Sequence, residues 1–154
     1  MNAIEPEPSF ECSLQQSCFC PRLKGLDKTG VITELVDELA RNGLVGDRDG
    51  VLAAVLAREA DMSTGMQTGI ALPHGKHPSV AGLVSVLGLS PDGVDFDSLD
   101  GEPARIFVMT VSPPHTVGPH LRFLAAVGKL LGRAGVREAV LAATDKPSLL
   151  RVLR

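Results

Sequence analysis

In a chain of 154 residues, the segment Gly69-Ile70-Ala71-Leu72-Pro73-His74-Gly75-Lys76 is the place where types and spacing are best suited to chemistry. A short apolar run leads to one imidazole, and the residues on both sides of it constrain the backbone. Pro73 fixes its own φ and biases Leu72 toward an extended conformation, while Gly75 permits a sharp turn or the close approach of another molecule. These residues predict a turn that holds His74 in place. An imidazole presented in this way is suited to act as a nucleophile or a proton carrier. By itself a Pro-His-Gly string also fits an ordinary surface loop.

Three other residues supply matching chemistry. Arg58 reads either as a cation compensating a helix C-terminus or as a forked, permanently charged donor for anionic oxygens. Thr64, within Ser63-Thr64-Gly65, either forms a turn or offers its hydroxyl or backbone N–H to such an oxygen. His120 is either a surface histidine in a capping region or a second ring at a helix start, where negative charge is favoured. A neutral imidazole attacking phosphorus in line, with such donors around it, needs no metal and no cofactor, because guanidinium and backbone dipoles can stabilise the developing charge. Lys76 is suited to attracting an anionic partner or to simple solvation, and His77 and His115 are expected to face solvent.

The elements that must position these side chains follow from periodicity. Ile32, Leu35, Val36, Leu39 and Ala40 recur at helical spacing, with Thr29 as the expected cap and Gly43 as the stop. A second helix is predicted from Asp47, with Val51, Leu52, Val55 and Leu56 inward and Arg58 and Glu59 near its end. Leu83 to Leu89 reads as a strand, followed by a hairpin turn at Pro91-Asp92-Gly93 into Val94 to Phe96. Ala104 to Val111 suits a central strand that stops at Ser112-Pro113-Pro114. A helix from about Pro119 carries His120 near its N-terminus, and shorter helices are predicted over Val136 to Ala142 and Pro147 to Leu153. This alternation predicts an α/β layered domain.

Composition narrows the class of function. The chain has 44% hydrophobic residues, and 15 basic against 18 acidic side chains give a net charge of −3. That describes a soluble single domain without the basic field that nucleic-acid binding requires, and no apolar run is long enough to insert in a membrane. All five aromatic residues are Phe, so no Trp or Tyr platform is available for stacking. Cys12, Cys18 and Cys20 fit neither a disulfide framework nor a four-ligand zinc site and are expected to be reduced thiols. Residues 1–24 are rich in Pro, Ser, Glu and Cys and are read as a poorly ordered or loosely attached tail with a short strand possible near its end, preceding a domain over 25–154. No secretory signal pattern is present, and a cytoplasmic location is expected.

Arg58, Ser63-Thr64-Gly65, the box ending in His74-Gly75, and Pro119-His120-Leu121 closely resemble, in order and spacing, the IIA phosphocarrier domains of the bacterial phosphoenolpyruvate-dependent sugar phosphotransferase system. The resemblance is to the fructose/mannitol branch, which includes the nitrogen-regulatory IIA proteins. Asp92-Gly93-Val94-Asp95-Phe96-Asp97 and Asp100-Gly101-Glu102-Pro103 extend it, and it covers roughly Leu26 to Leu153. It implies a single α/β domain with a mixed sheet of about five strands flanked by helices. It further implies that His74 accepts a phosphoryl group from the histidine phosphocarrier protein (HPr) or its nitrogen-type paralogue, with His120, Arg58 and Thr64 around it. The acceptor would be a IIB-domain cysteine or a regulatory target protein. A regulatory, nitrogen-type role is favoured over fructose- or mannitol-type uptake, because one IIA domain suffices for signalling. Two other classes compete: a phosphate-independent protein-binding regulator, and a metal-dependent hydrolase using His74, His77, His115 and His120.

Overall fold

A computed structural model describes residues 10–153, with side-chain surroundings described from residue 13 onward. In chain order the elements are α1 (Phe10–Gln16), β1 (Cys18–Cys20), α2 (Lys28–Arg41), α3 (Arg48–Asp61), β2 (Ile70–Ala71) and β3 (His74–Lys76). They continue with β4 (Val84–Val94), β5 (Ala104–Ser112), α4 (Gly118–Leu131), α5 (Ala134–Leu141) and α6 (Lys146–Val152). The five strands form one mixed sheet in the order β1-β4-β5-β2, with β3 also on β5. β1 runs parallel to β4, β4 antiparallel to β5, and β2 and β3 both parallel to β5.

Strand pleating divides the core in two. Phe107, Met109 and Val111 of β5 face α2 and α3, where they meet Ile32, Leu35 and Val55. Ile106 and Val108 face the opposite way, toward Phe123, Val127 and Leu131 of α4 and Val140 of α5. The result is an α/β/α sandwich, the layered class that the alternation of elements predicts.

Several local readings are corrected by the packing. Asp27, not Thr29, caps α2, its carboxylate accepting from the amide of Gly30 at 2.7 Å. Asp serves because it reaches its own first turn from an extended backbone, whereas Thr29 is already helical. The Pro91-Asp92-Gly93 turn does not open a hairpin. β4 runs through it to Val94, with a register shift between Leu89 and Val94, and pairs with β5 beyond. Gly93 has φ +80° and lies against Pro103, so the bend is absorbed as an irregularity in one long strand.

His74 is likewise in a strand and not at a turn: the left-handed residues here are Thr68 (φ 64°) and Gly69 (φ 80°), at the start of the box. Gly75 serves close packing, since a Cβ there would lie 3.0 Å from Val55 Cγ2 and 3.2 Å from the Val55 amide nitrogen. Of the N-terminal segment, residues 1–9 lie outside the described residues. From Phe10 onward it carries α1 and the edge strand β1, with Leu14 buried and Leu23 donating to the Leu89 carbonyl. The strand expected near its end is β1. Cys18 and Cys20 are free thiols, and burial and neighbouring glutamates push Cys20 up to about 12, which keeps it protonated and inert. The side chain of Cys12 lies outside the described residues.

Gly75→Ala is expected to lower unfolding free energy by about 1–3 kcal/mol, because α3 must move off the sheet. Gly128→Ala, at a helical site with nothing within 4 Å of the added Cβ, is expected to raise it by about 0.4–1 kcal/mol. Urea denaturation of the two variants checks the contrast.

Candidate phosphoryl-transfer site

The site begins with register. Ile70 pairs with Ile106, Ala71 with Phe107, His74 with Thr110 and Gly75 with Val111, so β2 and β3 are one strand interrupted at Leu72 and Pro73. Pro73 has no N–H to give, yet its carbonyl accepts from Thr110 at 3.1 Å and keeps the two halves aligned. Register partners in a parallel pair share a face, so His74 and Thr110 both point toward the α4 layer.

The carbonyls of Gly69 and Pro73 accept from β5, so that of Leu72 is turned away from it and lies 2.9 Å from Nδ1 of His74. A carbonyl can only accept, so Nδ1 carries the proton and the lone pair of the neutral ring resides on Nε2. Nε2 has no hydrogen-bond partner among the described residues. The half-buried ring meets His120 edge-on, with centroids 5.4 Å apart and planes at 81°.

His120 stands in the first turn of α4, which accommodates Pro119 without loss of a helical bond. It is 3% exposed, and its two ring nitrogens are both engaged: Nε2 with the Thr110 hydroxyl and Nδ1 with the Ser112 hydroxyl, each at 2.7 Å. It is therefore not a surface histidine, nor does either nitrogen point freely outward. Burial, with His74 and Lys76 nearby, pulls its pKa down to about 4, so the ring is neutral at physiological pH. Hydroxyls suit this ring because each can either donate or accept.

Thr64 is buried, and the groups expected to face an anion go elsewhere. Its amide and hydroxyl donate to Glu59 at 2.9 and 2.6 Å, because an ionised carboxylate under the loop is the strongest acceptor within reach. Its carbonyl accepts from the Leu72 amide at 3.1 Å, so Thr64 touches the site through the backbone. Arg58, at the end of α3, donates through Nη1 to the Met62 carbonyl at 3.0 Å, and none of its described bonds reaches the histidine pair. Lys76 donates to the Thr116 carbonyl at 3.2 Å and ties β3 to the loop before α4.

His115 is exposed, as expected, but His77 is not: Ser79 holds its Nδ1 at 2.8 Å, and its Nε2 lies 3.6 Å from Asp47 over the start of α3. No group of three or more His, Cys, Asp or Glu side chains is placed to hold a metal among the described residues. Nor is any helix among them long and apolar enough to cross a membrane. Sequence reasoning passed over Glu59, Thr110 and Ser112. Their signal was a polar residue on an apolar stripe: Glu59 continues Val51 and Val55 at intervals of one turn, and Thr110 and Ser112 continue Ile106 and Val108 at intervals of two residues.

The fold is a three-layer α/β domain, and its site sets one imidazole at a strand end against a buried neutral histidine. The particular family is the EIIA 2 family of the phosphoenolpyruvate-dependent sugar phosphotransferase system, whose profile matches residues 13–154, and the chain belongs to it. It is 36% identical over 126 residues to the fructose-specific EIIA component of Haloferax volcanii, covering 82% of each chain. It is 35% identical over 131 residues to the fructose-specific EIIABC component of Bacillus subtilis, covering 85% of this chain and 21% of that protein. The chain thus spans about a fifth of the length of that larger relative. A nitrogen regulatory protein of Bradyrhizobium diazoefficiens is 28% identical over 134 residues, with 86% of each covered. Among solved structures, nitrogen regulatory protein IIA-Ntr from Neisseria meningitidis superposes with a TM-score of 0.81 at 23% identity, covering 92% of this chain and 94% of that one. The mannitol IIA in complex with phosphorylated IIB from Escherichia coli gives 0.76 at 21% identity, covering 90% and 94%. These two likenesses concern the fold.

The depressed pKa of His120 sets a pH dependence of stability. Between the unfolded value near 6.5 and the folded value near 4 the unfolded chain binds the extra proton, so this contribution is complete above about pH 6.5 and is lost as pH falls toward 4. Denaturation in urea at pH 7.5 and at pH 5 should show a loss of about 2 kcal/mol at the lower pH, and His120→Gln should flatten the profile.

Proposed function

We propose that this protein carries a phosphoryl group on Nε2 of His74, received from phosphorylated histidine carrier protein (HPr) or its nitrogen-type paralogue. The observation that carries the reading is the Nδ1–H bond to the Leu72 carbonyl, which directs the lone pair of the half-buried ring to Nε2. In the transfer the N–P bond on the donor histidine breaks while a new one forms at Nε2. Positive charge then develops on the His74 ring, and the Leu72 carbonyl stabilises it through the Nδ1 proton. The reverse chemistry releases the group to an acceptor such as a IIB cysteine thiolate, forming a P–S bond and restoring the neutral ring.

The neighbours have distinct parts in this reading. His120 stays neutral and braces the edge of the His74 ring. Arg58 turns its guanidinium from the Met62 carbonyl to the phosphoryl oxygens during transfer, and the N-terminal end of α4 adds a favourable potential. Thr64 acts through its carbonyl on Leu72 and not as a phosphoryl donor. Exposed Met62, Val117 and Leu121, at 70%, 53% and 61%, belong to the segments that carry Arg58 and His120, and provide apolar contact for a partner protein. The location is cytoplasmic, where the phosphorylated carrier is found.

The higher identity to fructose-specific relatives favours sugar uptake as the destination of the phosphoryl group, with transfer to a IIB domain. Regulation of a target protein is the second reading, supported by the nitrogen regulatory relatives. Incubation with phosphoenolpyruvate, the first enzyme of the system and histidine carrier protein should add one acid-labile phosphoryl group, seen by mass spectrometry and mapped to His74. His74→Ala should take none, and Arg58→Ala should slow uptake on the order of a hundredfold. Unmodified wild-type protein with several cognate carriers would overturn the proposal.

A further inference from the structure

Glu59 is the buried charge that the transfer chemistry does not use. Its side chain is 3% exposed on the stripe of α3 that otherwise carries Val51 and Val55 into the core. A leucine there would avoid the desolvation of a carboxylate, so retention of the charge calls for a role beyond packing. The carboxylate is fully engaged. Oε1 accepts from Lys28 Nζ at 3.0 Å and from the Thr64 amide at 2.9 Å, and Oε2 accepts from the Thr64 hydroxyl at 2.6 Å. Lys28 is itself fixed between Glu59, Asp97 at 3.1 Å and the face of Phe96, whose ring centroid is 4.9 Å from Nζ.

These bonds do not end at Thr64. The Thr64 carbonyl accepts from the Leu72 amide, and the Leu72 carbonyl accepts from Nδ1 of His74. A series of polar contacts therefore runs from the Lys28–Glu59 pair, through the backbone of Thr64 and then that of Leu72, to the proton that determines which nitrogen of His74 is nucleophilic. Leu72 lies between β2 and β3, and on the side away from β5 its amide bonds the Thr64 carbonyl as part of the isolated bridge between Gly65 and Ala71. The Thr64 loop is therefore the group bonded to Leu72 on that side.

We propose that Glu59, anchored by Lys28, is a positioning residue that fixes the Nδ1–H tautomer of His74 through Thr64 and Leu72. This rests on the reading of His74 as the phosphoryl acceptor, and deepens it. Without the carboxylate the Thr64 amide and hydroxyl lose their common acceptor, Thr64 and the Leu72 backbone bonded to it shift, the Leu72 carbonyl moves away from Nδ1, and the ring relaxes toward the Nε2–H form that a free histidine side chain prefers. That form has its nucleophilic nitrogen turned inward.

The test uses Glu59→Gln, Thr64→Val and Thr64→Ser in the full chain, with three readouts. They are the His74 tautomer by ¹⁵N–¹H NMR, the rate of His74 carbethoxylation by diethyl pyrocarbonate, and the rate of phosphoryl uptake from phosphorylated histidine carrier protein. Wild type should show the Nδ1–H form. Glu59→Gln and Thr64→Val should shift the ring toward Nε2–H and slow uptake by roughly ten- to a hundredfold, and Thr64→Ser should restore both. If Glu59→Gln does not fold, Thr64→Val decides alone, since it leaves the Lys28–Glu59 pair in place. A lowered melting temperature with the tautomer and both rates unchanged overturns the inference, because a purely structural carboxylate would do only that. Wild type that accepts no phosphate while its ring states respond as expected would refute the acceptor reading and uphold the positioning role.

Discussion

The parallel register of residues 70–76 against β5 is the constraint from which the rest of the site follows. His74 and Thr110 are paired on the face toward α4, and Gly75 and Val111 on the face toward α3. A slip of one residue would drive the imidazole into Val55 and turn glycine toward the reactive face. The register is secured from both ends by apolar alternation and by the Pro73 carbonyl in the middle. It survives the loss of pairing at Leu72 and Pro73 because the residues before and after that break remain hydrogen-bonded to the same central strand.

Two buried polar groups support this strand from opposite layers. From the α4 side, His120 is bound by Thr110 and Ser112, which occupy the last two positions of a face that is apolar up to Val108. From the α3 side, Glu59 takes every donor that Lys28 and Thr64 direct at it. Neither group is left partly satisfied, which in a low-dielectric interior distinguishes a rigid scaffold from a weak one. The His74 ring thus has an imidazole at its edge and a carbonyl at Nδ1, each held by its own hydrogen-bond network.

The cysteines and the remaining histidines contrast with this arrangement. Cys18 and Cys20 sit on an edge strand with their thiols held protonated by burial and by Glu38, and His77 spends its ring on Ser79 and the start of α3. Their chemistry is suppressed by the same means that expose it at His74, namely whether the heteroatom's lone pair is occupied, desolvated or left available.

Most of the layering was legible in the chain itself. Apolar spacing of 3.6 and of 2 specifies α2, α3, α4 and β5, and the Pro73-His74-Gly75 box with Arg58 and His120 marks the family. Local geometry was less legible, because a strand and a turn share the same short run of Pro and Gly. The reading of Gly75 as a turn residue failed for that reason: the space it provides is used by Val55, which is remote in sequence. The hairpin at Pro91 failed similarly, since pairing with β5 overrode the local turn preference. What residue types and spacing determined by themselves was which imidazole is the candidate acceptor and which elements surround it, since both follow from short-range sequence. Which nitrogen of His74 holds the lone pair, why His120 is neutral and why Thr64 faces Glu59 were decided only by the folded structure, because each depends on a hydrogen-bond geometry that residue types and spacing do not specify.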